Sequence, residues 1–374
     1  MSSGNAPAAA VHLRKKLQAH GAAIKGLRDY SITGQSAKMR QQMLDDTFVL
    51  KDIAILGQWT TIYAAPNTGK TLITLWLLKE ALYGDFIDGD LVFYVNADDN
   101  FKGLTDKTEL AEKWGFHLIA PNQRGFKSSQ ITNLMIEIMQ ADEARGVVII
   151  LDTLKKFTNL MHKQEASDFG NIIREFISAG GTMIGLAHTN KHRSADGKPI
   201  YSGTSDIRDD SDCAFIIDKV DGRFFEDEVA IEFVNDKARG DVADKVSFSY
   251  SRKRGQTYAE LVDTVKRLDE GRMEQLKSTA EVARKLEDDA GVITAVRDAI
   301  NQKVTSKAAI IKHVNEETGI PQQRIRKTIF ERTGTMYDLG DRWGLTVGAR
   351  NKQVYHMLKP PNTPSCKSET SPLS

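Results

Sequence analysis

An α/β fold with a mostly parallel sheet is predicted for the middle of this chain, followed by a small α+β module towards the C-terminus. The chain has 374 residues, of which 40% are hydrophobic and 27% charged. This is a globular composition, and the length suffices for two domains with linkers. From about Thr47, short apolar stretches alternate with helical ones, which is typical of a parallel sheet covered on both faces. One apolar run, Trp59–Tyr63, leads through a glycine-containing turn directly into a helical pattern.

The strand candidates are short apolar runs separated by helical stretches. The predicted strands are Ile53–Ala64, Leu91–Val95, Val147–Leu151, Thr182–Ala187, Cys213–Ile217 and Val229–Val234. The predicted helices between them are Leu72–Tyr83, Leu104–Trp114, Ile131–Ala144 and Ala166–Ser178. Val229–Val234 and a further run, Val246–Tyr250, are close in sequence, so we expect them to form an antiparallel edge of the sheet.

The segment before this core, residues 1–47, is polar and basic. Between Val11 and Arg40 there are seven Lys or Arg residues against one acid, Asp29. The first ten residues are predicted to be disordered. Val11–Gln42 could form a helix with few apolar anchors, and such a helix would pack on something else, for example a neighbouring subunit.

Beyond the core, which we place at residues 48–258, the composition changes twice. Residues 259–290 are predicted to form a charged helical linker, and residues 360–374, rich in Pro and Ser, a disordered tail. Residues 291–359 have the layout of a winged helix, with two helices, a turn, a basic helix and a small hairpin. Its elements are predicted at Val292–Gln302, Ser306–Thr318, Gln322–Thr333, Trp343–Val347 and Val354–Leu358.

Composition excludes several classes of protein. Cys213 and Cys366 are the only cysteines, so neither a disulfide framework nor a zinc cluster is indicated. No apolar stretch approaches the length of a membrane span, and the N-terminus lacks a signal-peptide core. A reducing, cytoplasmic location without membrane contact is therefore predicted.

The most informative motif follows the strand candidate that ends at Ala64. Residues 64–71 read AAPNTGKT, a phosphate-binding loop in its strand–turn–helix context. The chain from Ala65 through Pro66, Asn67 and Thr68 to Gly69 is expected to wrap phosphates with backbone N–H groups. Lys70 would reach the β- and γ-phosphates, and Thr71 would hold Mg²⁺, so ATP and Mg²⁺ are the predicted cofactors. An ordinary turn would leave Lys70 unexplained.

Carboxylates follow two other strand candidates. Asp152 ends the apolar run that begins at Val147, where it would bind Mg²⁺ beside the phosphate loop. Its alternative role is a helix cap. Asp98 and Asp99 follow Leu91–Val95, and one of them is expected to orient the attacking water. Adjacent residues on an extended strand point opposite ways, so only one should face the γ-phosphate. A solvated strand end is the alternative.

Three further residues are candidate site residues because each follows a predicted strand. His188 follows the run Thr182–Ala187 and could sense the γ-phosphate, although a lone His after a strand is usually structural. Lys237 and Arg239 follow Val229–Val234 and project to one face of an extended strand. Paired cations on an edge strand suit the phosphate of a neighbouring subunit. They also suit an edge strand protected by charge.

These segments in this order resemble a RecA-like P-loop ATPase, and more closely the RepA/DnaB-type hexameric helicases of plasmids and phages. The resemblance spans roughly residues 48–250. It implies that Asp98 is the catalytic carboxylate, with Asp99 second, and that His188 is the sensor. It also implies that Lys237 and Arg239 act in trans. The segment His192–Ser205 corresponds to a channel loop that grips single-stranded DNA, through His192, Arg193 and Lys198.

The resemblance implies an ATP-driven homo-hexamer on single-stranded DNA, with a replication initiator or primase as possible partner. Asp98 stands where Glu is usual in the family, and no primase-contacting domain is expected before residue 48. In the predicted winged helix, Arg324, Arg326 and Lys327 suit a DNA backbone, or else a protein-docking surface. The rival functions are a RecA-like recombination or loading ATPase and a DNA-binding regulatory ATPase.

Overall fold

The computed structural model describes residues 28–42, 47–160, 162–193, 199–201, 206–220, 228–251, 253–348 and 352–360; at 41–42, 191–193, 199–201 and 206 it describes the backbone alone. The chain divides into two compact units, residues 1–47 and 48–374. In the first unit the helix α1 (Ser36–Gln42) is described. The rest of the helix predicted from Val11 falls largely outside the described residues.

The second unit contains strands and helices in alternation. Its strands are β1 (Phe48–Leu50), β2 (Ala54–Ile55), β3 (Trp59–Ala64), β4 (Val92–Asn96), β5 (His117–Ile119), β6 (Val148–Asp152), β7 (Thr182–Arg193), β8 (Pro199–Tyr201), β9 (Cys213–Lys219), β10 (Glu228–Lys237), β11 (Lys245–Ser251), β12 (Lys266–Leu268), β13 (Trp343–Val347) and β14 (Gln353–Met357). Its helices are α2 (Lys70–Tyr83), α3 (Phe101–Trp114), α4 (Ile131–Gln140), α5 (Lys163–Ser178), α6 (Asp206–Asp210), α7 (Tyr258–Asp263), α8 (Glu270–Asp288), α9 (Ala290–Asn301), α10 (Lys307–Thr318) and α11 (Gln322–Glu331). None of the helices described is long and apolar enough to cross a bilayer.

The main sheet has the strand order β12-β11-β10-β9-β3-β7-β6-β4-β5, and β8 pairs with β7. The six strands from β9 to β5 are mutually parallel. β10, β11 and β12 extend the sheet in antiparallel fashion. The predicted α/β fold with a mostly parallel sheet is therefore confirmed. The ends of β3, β7, β6 and β4 meet at one side of the sheet, the carboxyl edge, where ligands bind in folds of this kind.

Burial on both faces explains why the central strands are continuous apolar runs. Every residue of β3 and β6 is buried. One face packs against α2, α3 and α7, through a cluster that includes Ile62, Ile150 and Leu75. The other face packs against α4 and α5, through a cluster that includes Leu151 and Phe169. Helices on both faces fix the carboxyl edge as the open side of the core.

The prediction of an antiparallel edge formed by β10 and β11 is wrong in one respect. β10 and β11 do pair antiparallel, with Phe233 opposite Val246. They are not the edge, because β12 pairs with β11 beyond them. β12 reads Lys266-Arg267-Leu268, and two cations in three residues give no apolar strand signal.

β7 is longer than predicted. It continues past Ala187 to Arg193 and pairs antiparallel with β8, with Thr189 opposite Tyr201 and Arg193 opposite Pro199. The added residues, from His188 onward, are mostly polar, so hydrophobic patterning could not indicate them. His188 consequently lies within a strand and not after its end.

The segment expected to be a charged linker contains α8, which packs on the sheet. Met273, Leu276 and Ala280 are buried against Val220 and Ala230. These three positions, spaced by three and four residues, form an apolar stripe on one side of the helix. Lys277 Nζ also lies 2.7 Å from Glu232 Oε2 on β10. α8 is therefore held to the main sheet by both apolar and ionic contacts.

The C-terminal region forms a cluster of its own from α9, α10, α11 and the antiparallel pair β13–β14. Val296, Ile310 and Ile325 bring the three helices together around Trp343. The Trp343 indole N–H donates to the Ile329 carbonyl at 3.1 Å. The region therefore contains three helices followed by a hairpin.

Candidate active site

The loop between β3 and α2 has the backbone that the phosphate-loop prediction requires. Asn67 has φ +59° and Gly69 φ +92°, both in the left-handed region. The Thr68 hydroxyl donates to the Ala65 carbonyl at 2.6 Å, which closes the loop on itself. No side chain caps the start of α2 at Gly69. The first N–H groups of α2, together with the positive end of the helix dipole, are therefore available to an anion.

Gly69 is required for a second reason. A Cβ at this position would lie 2.7 Å from Cε1 of Tyr250, which comes from the end of β11. Tyr250 thus forms a wall of the loop. Sequence patterning did not indicate it, because it is 181 positions from Gly69 and lies in an ordinary strand of alternating apolar and polar residues.

Lys70 and Thr71 meet Asp152, as their predicted roles would require. Lys70 Nζ lies 3.0 Å from Asp152 Oδ1, and the Thr71 hydroxyl donates to Asp152 Oδ2 at 2.6 Å. The two residues open α2 and the carboxylate ends β6, so the parallel sheet places them side by side at its carboxyl edge. Burial alone would raise the pKa of Asp152, but the charge of Lys70 and the hydrogen bonds from Thr71 and Lys70 outweigh it and lower the pKa. Asp152 is therefore ionised at neutral pH.

Tyr94 is a third partner of Asp152 that the sequence did not reveal. Its hydroxyl donates to Asp152 Oδ2 at 2.9 Å, and the residue is fully buried in β4. Burial, then the charge of Asp152, raises the pKa of Tyr94 well above its ordinary value. The phenol therefore keeps its proton and acts as a hydrogen-bond donor.

Asp98 and Asp99 differ in their surroundings. β4 ends at Asn96, so both acids lie in a turn, and alternation along a strand does not govern them. Asn96 Oδ1 accepts from the backbone N–H of Asp98 at 3.2 Å and of Asp99 at 3.3 Å. Asp99 is held by an ion pair with Lys107 of α3 and accepts from Asn96 Nδ2 at 2.6 Å. The Asp98 carboxylate is more exposed, 44% against 27% for Asp99.

His188 lies beside the phosphate loop and close to Asp98. It is paired with Ala64 across the parallel strands β7 and β3. Its Nε2 is 3.9 Å from Asp98 Oδ2. Burial, followed by the charges of Lys70 and Lys155, lowers the pKa of His188, so the imidazole is neutral at pH 7.

Lys237 and Arg239 lie at the opposite edge of the sheet. Lys237 is paired with Ala214 at the start of β9, and β10 is an inner strand, which corrects the edge-strand prediction. Its Nζ donates to the carbonyls of Asp209 and, at 3.3 Å, Arg208, at the end of α6. Burial and the neighbouring Arg239 lower the pKa of Lys237.

Arg239 itself is turned outward. Its side chain is 60% exposed, with Nη1 3.6 Å from Asp212 Oδ1. Asp212 is already bound by Arg174 at 2.9 Å and accepts from the Trp59 N–H at 3.0 Å. Since Trp59 opens β3, five residues before Ala64, this edge is roughly 17 Å from the phosphate loop along the strand.

The predicted DNA-contacting residues fall into two groups. Of the channel-loop set, His192 and Arg193 lie in β7 with only their backbone described, and Lys198 is outside the described residues. On α11, Arg324 donates to the Asp288 carbonyl at 2.8 Å and so holds the end of α8. Lys327 Nζ is 3.9 Å from Glu331, and Arg326 is exposed.

The donor set at the carboxyl edge fits the predicted cofactors. Mg²⁺ prefers hard oxygen ligands and is usually held by one or two protein oxygens together with substrate phosphates. Thr71 and Asp152 offer such oxygens next to the uncapped start of α2. Lys70, 7% exposed, supplies a cation at the same place.

Comparison with known proteins gives a family match over part of the chain. A model of the family described as the AAA domain matches residues 46–194, less than half of the chain. Among solved structures, the RadB recombinase is similar over 58% of this chain and 93% of its own, at 14% identity and a TM-score of 0.39. A KaiC-like protein from the hyperthermophilic archaeon Pyrococcus horikoshii is similar over 58% of this chain and 91% of its own, at 11% identity and a TM-score of 0.39. No curated protein matches the chain by sequence.

The mostly parallel sheet, the phosphate loop with its lysine, and the AAA-domain match over residues 46–194 together indicate a P-loop nucleotide-binding core. Cores of this kind bind nucleotide, normally with Mg²⁺. The predicted phosphate loop and mostly parallel core are confirmed at this level of detail.

Proposed function

We propose that the protein is an ATP-driven ring motor that translocates on single-stranded DNA, a replicative-type DNA helicase of phage or plasmid origin. The observation that carries the proposal is the division of catalytic groups between two edges of one sheet. Lys70, Thr71 and Asp152 meet at the carboxyl edge. Arg239 is exposed at the opposite edge of the same sheet.

At the carboxyl edge, each residue would act on the bound nucleotide through a distinct group. Lys70 would leave Asp152 and neutralise phosphate charge, while the N–H groups of residues 65–69 hold the phosphate oxygens. Thr71 and Asp152 would hold Mg²⁺, which supplies further neutralisation of the phosphates when bound. Positioning and charge stabilisation account for most of the catalysis of phosphoryl transfer.

Asp98 is the better candidate for the residue that orients the attacking water. Asp99 is neutralised by Lys107 and fixed by Asn96, so little of its negative charge is available to a water molecule. Asp98 has a more exposed carboxylate, 3.9 Å from the neutral His188. His188, next to Ala64 of the phosphate loop, would respond to both the carboxylate and the γ-phosphate.

Arg239 would complete the site of a neighbouring subunit. It cannot reach the phosphate loop of its own chain, because β3 separates the two edges. A head-to-tail contact joins one edge of a subunit to the other edge of the next, and repetition of that contact closes a ring. A homo-hexamer is the ring that the family resemblance suggests. Lys237, bound to the carbonyls at the end of α6, would hold in place the segment that carries Arg239.

Two elements are proposed to contact DNA. The β7–β8 pair starts near His188 and leads into the segment expected to line the channel. A single strand, β7, would therefore connect the nucleotide site to the residues that grip DNA. The C-terminal region, with Arg326 and Lys327 on α11, is proposed to be a winged helix that contacts phosphate backbones. A replication initiator or primase is the proposed partner class.

A fork-unwinding assay tests the proposal. The wild-type protein, with ATP and Mg²⁺, should show ATPase activity stimulated by single-stranded DNA and should separate a forked duplex. Lys70→Ala should do neither. Strand exchange without unwinding would favour a recombination ATPase. Site-specific duplex binding without strand separation would favour a regulatory ATPase.

A further inference from the structure

The hydroxyl of Tyr94 has no explanation in the packing of the sheet. The ring lies in the apolar cluster beneath α2 and is 6.4 Å from the ring of Phe116. A phenylalanine would fill the same space. The added O–H is fully buried and donates to Asp152 Oδ2 at 2.9 Å. A buried hydroxyl is costly unless it is paired, so its presence indicates a role at that carboxylate.

The sheet aims the Tyr94 side chain at this carboxylate. Tyr94 on β4 is paired with Ile150 on β6, and Asp152 lies two residues further along the same face. The ring therefore extends along the sheet towards the carboxyl edge, and its hydroxyl arrives beneath the phosphate loop. Its backbone belongs to an inner strand, so its position does not depend on the loop.

The other two donors to Asp152 do belong to the phosphate loop and the start of α2. Lys70 binds Oδ1, and Thr71 binds Oδ2. In the proposed mechanism Lys70 turns to the phosphates, and Thr71 shares its oxygen with the metal. Asp152 would then exchange the Lys70 ammonium for the metal, and a metal-holding carboxylate needs a remaining donor to keep its orientation.

We propose that Tyr94 is a positioning residue that holds the Asp152 carboxylate in the orientation that binds Mg²⁺. The inference rests on the proposed nucleotide site. A hydrogen bond from an inner strand orients the metal-holding carboxylate in the way that outer-shell partners orient metal ligands, and loss of such partners typically weakens metal binding about 10–100-fold.

The direct test measures Mn²⁺ binding to the full chain in complex with ADP, by electron paramagnetic resonance. Tyr94→Phe is expected to weaken Mn²⁺ binding about tenfold or more. ADP affinity in EDTA should be unchanged, because the Tyr94 hydroxyl donates to Asp152 and not to the phosphate loop. The matched control is Tyr258→Phe, which removes a hydroxyl from a partly buried tyrosine packed against the same apolar cluster, where the ring faces Lys107. The control should bind Mn²⁺ like the wild type.

Two variants of similar size, one with a hydrogen-bond donor and one without, cover the case in which Tyr94→Phe destabilises the protein. Tyr94→4-aminophenylalanine keeps an N–H donor, and Tyr94→4-methylphenylalanine has similar size without one. The first should bind Mn²⁺ more tightly than the second. Equal Mn²⁺ binding by the pair, or wild-type binding by Tyr94→Phe, would overturn the inference. Failure of the wild type to bind ADP would instead contradict the proposed nucleotide site.

Discussion

Two acids that are adjacent in sequence at the carboxyl edge, Asp98 and Asp99, have different interaction partners. Asp99 is paired with Lys107, whose side chain is only 5% exposed, whereas Asp98 faces His188. A residue that orients water needs an available charge within reach of the nucleotide. The environment therefore selects Asp98, although the two acids are adjacent in sequence.

The Asp98→Asn variant should bind ATP normally and lose turnover by about 10²–10⁴-fold, because a positioned carboxylate contributes on that scale. Asp99→Asn should lose less activity but lower the free energy of unfolding by about 1–3 kcal/mol, because the buried Lys107 ammonium loses its partner. Steady-state ATPase rates and urea unfolding measure the two effects. A large loss of turnover in Asp99→Asn alone would reverse the assignment.

The residues that sequence reasoning could find are those whose signal is local. Lys70 and Thr71 are in one motif, and Asp152 ends an apolar strand. The motif and the end of the strand were therefore sufficient to predict these three residues. Tyr94 and Tyr250 gave no such signal, because each lies in an ordinary strand and acts only through a distant contact. Lys107 resembles any charged residue on a helix until α3 is packed against the turn at Asp99.

At the scale of elements, α8 joins the sheet to the C-terminal region. Its apolar stripe is buried on β10, and its last turn is held by Arg324 and by Arg332, whose Nη2 is 3.3 Å from Asp289 Oδ2. The helix was predicted from the sequence, but its packing on the sheet was not, because only three of its nineteen residues are buried and charged residues dominate the rest. The apolar strands of the core gave strong signals, whereas β12 and the polar end of β7 gave none.

Leu276→Ala should lower the free energy of unfolding by about 2–4 kcal/mol, because it leaves a cavity between α8 and β10. Glu274→Ala, an exposed change on the same helix, should stay within about 0.5 kcal/mol of the wild type. Urea denaturation of both variants measures the difference. Equal stability of the two variants would mean that α8 is not anchored on the sheet.

Deletion of the chain after Asp289 should leave a folded ATPase with weaker DNA affinity. The helices α9–α11 and the β13–β14 pair form a cluster separate from those of the main sheet. The deletion removes Arg326 and Lys327 but keeps α8 on β10. ATPase assays and DNA titrations at several salt concentrations follow the two properties, and the salt dependence should decrease with the lost phosphate contacts. An insoluble fragment would show that the C-terminal region is part of the main core.

At the scale of the whole molecule, the sheet keeps two halves of the proposed catalytic machinery apart. The strand order could be anticipated only in part, since apolar runs predict strands but not their neighbours. The alternation of strands and helices did indicate a parallel sheet. The parallel sheet in turn predicted that Asp152 lies beside the phosphate loop. The location of Arg239 at the far edge, beside Asp212 and the start of β3, depends on the antiparallel return of β10 and had no sequence signal.

The central claim, that each ATP site is completed by the next subunit, is tested by mixing two inactive variants. Lys70→Ala lacks the phosphate-binding cation, and Arg239→Ala should bind ATP but not hydrolyse it. In mixed rings, some interfaces pair an intact phosphate loop with an intact Arg239. We predict that ATPase activity returns in part when subunits exchange, as verified by native mass spectrometry. No recovery in rings shown to be mixed would contradict the claim.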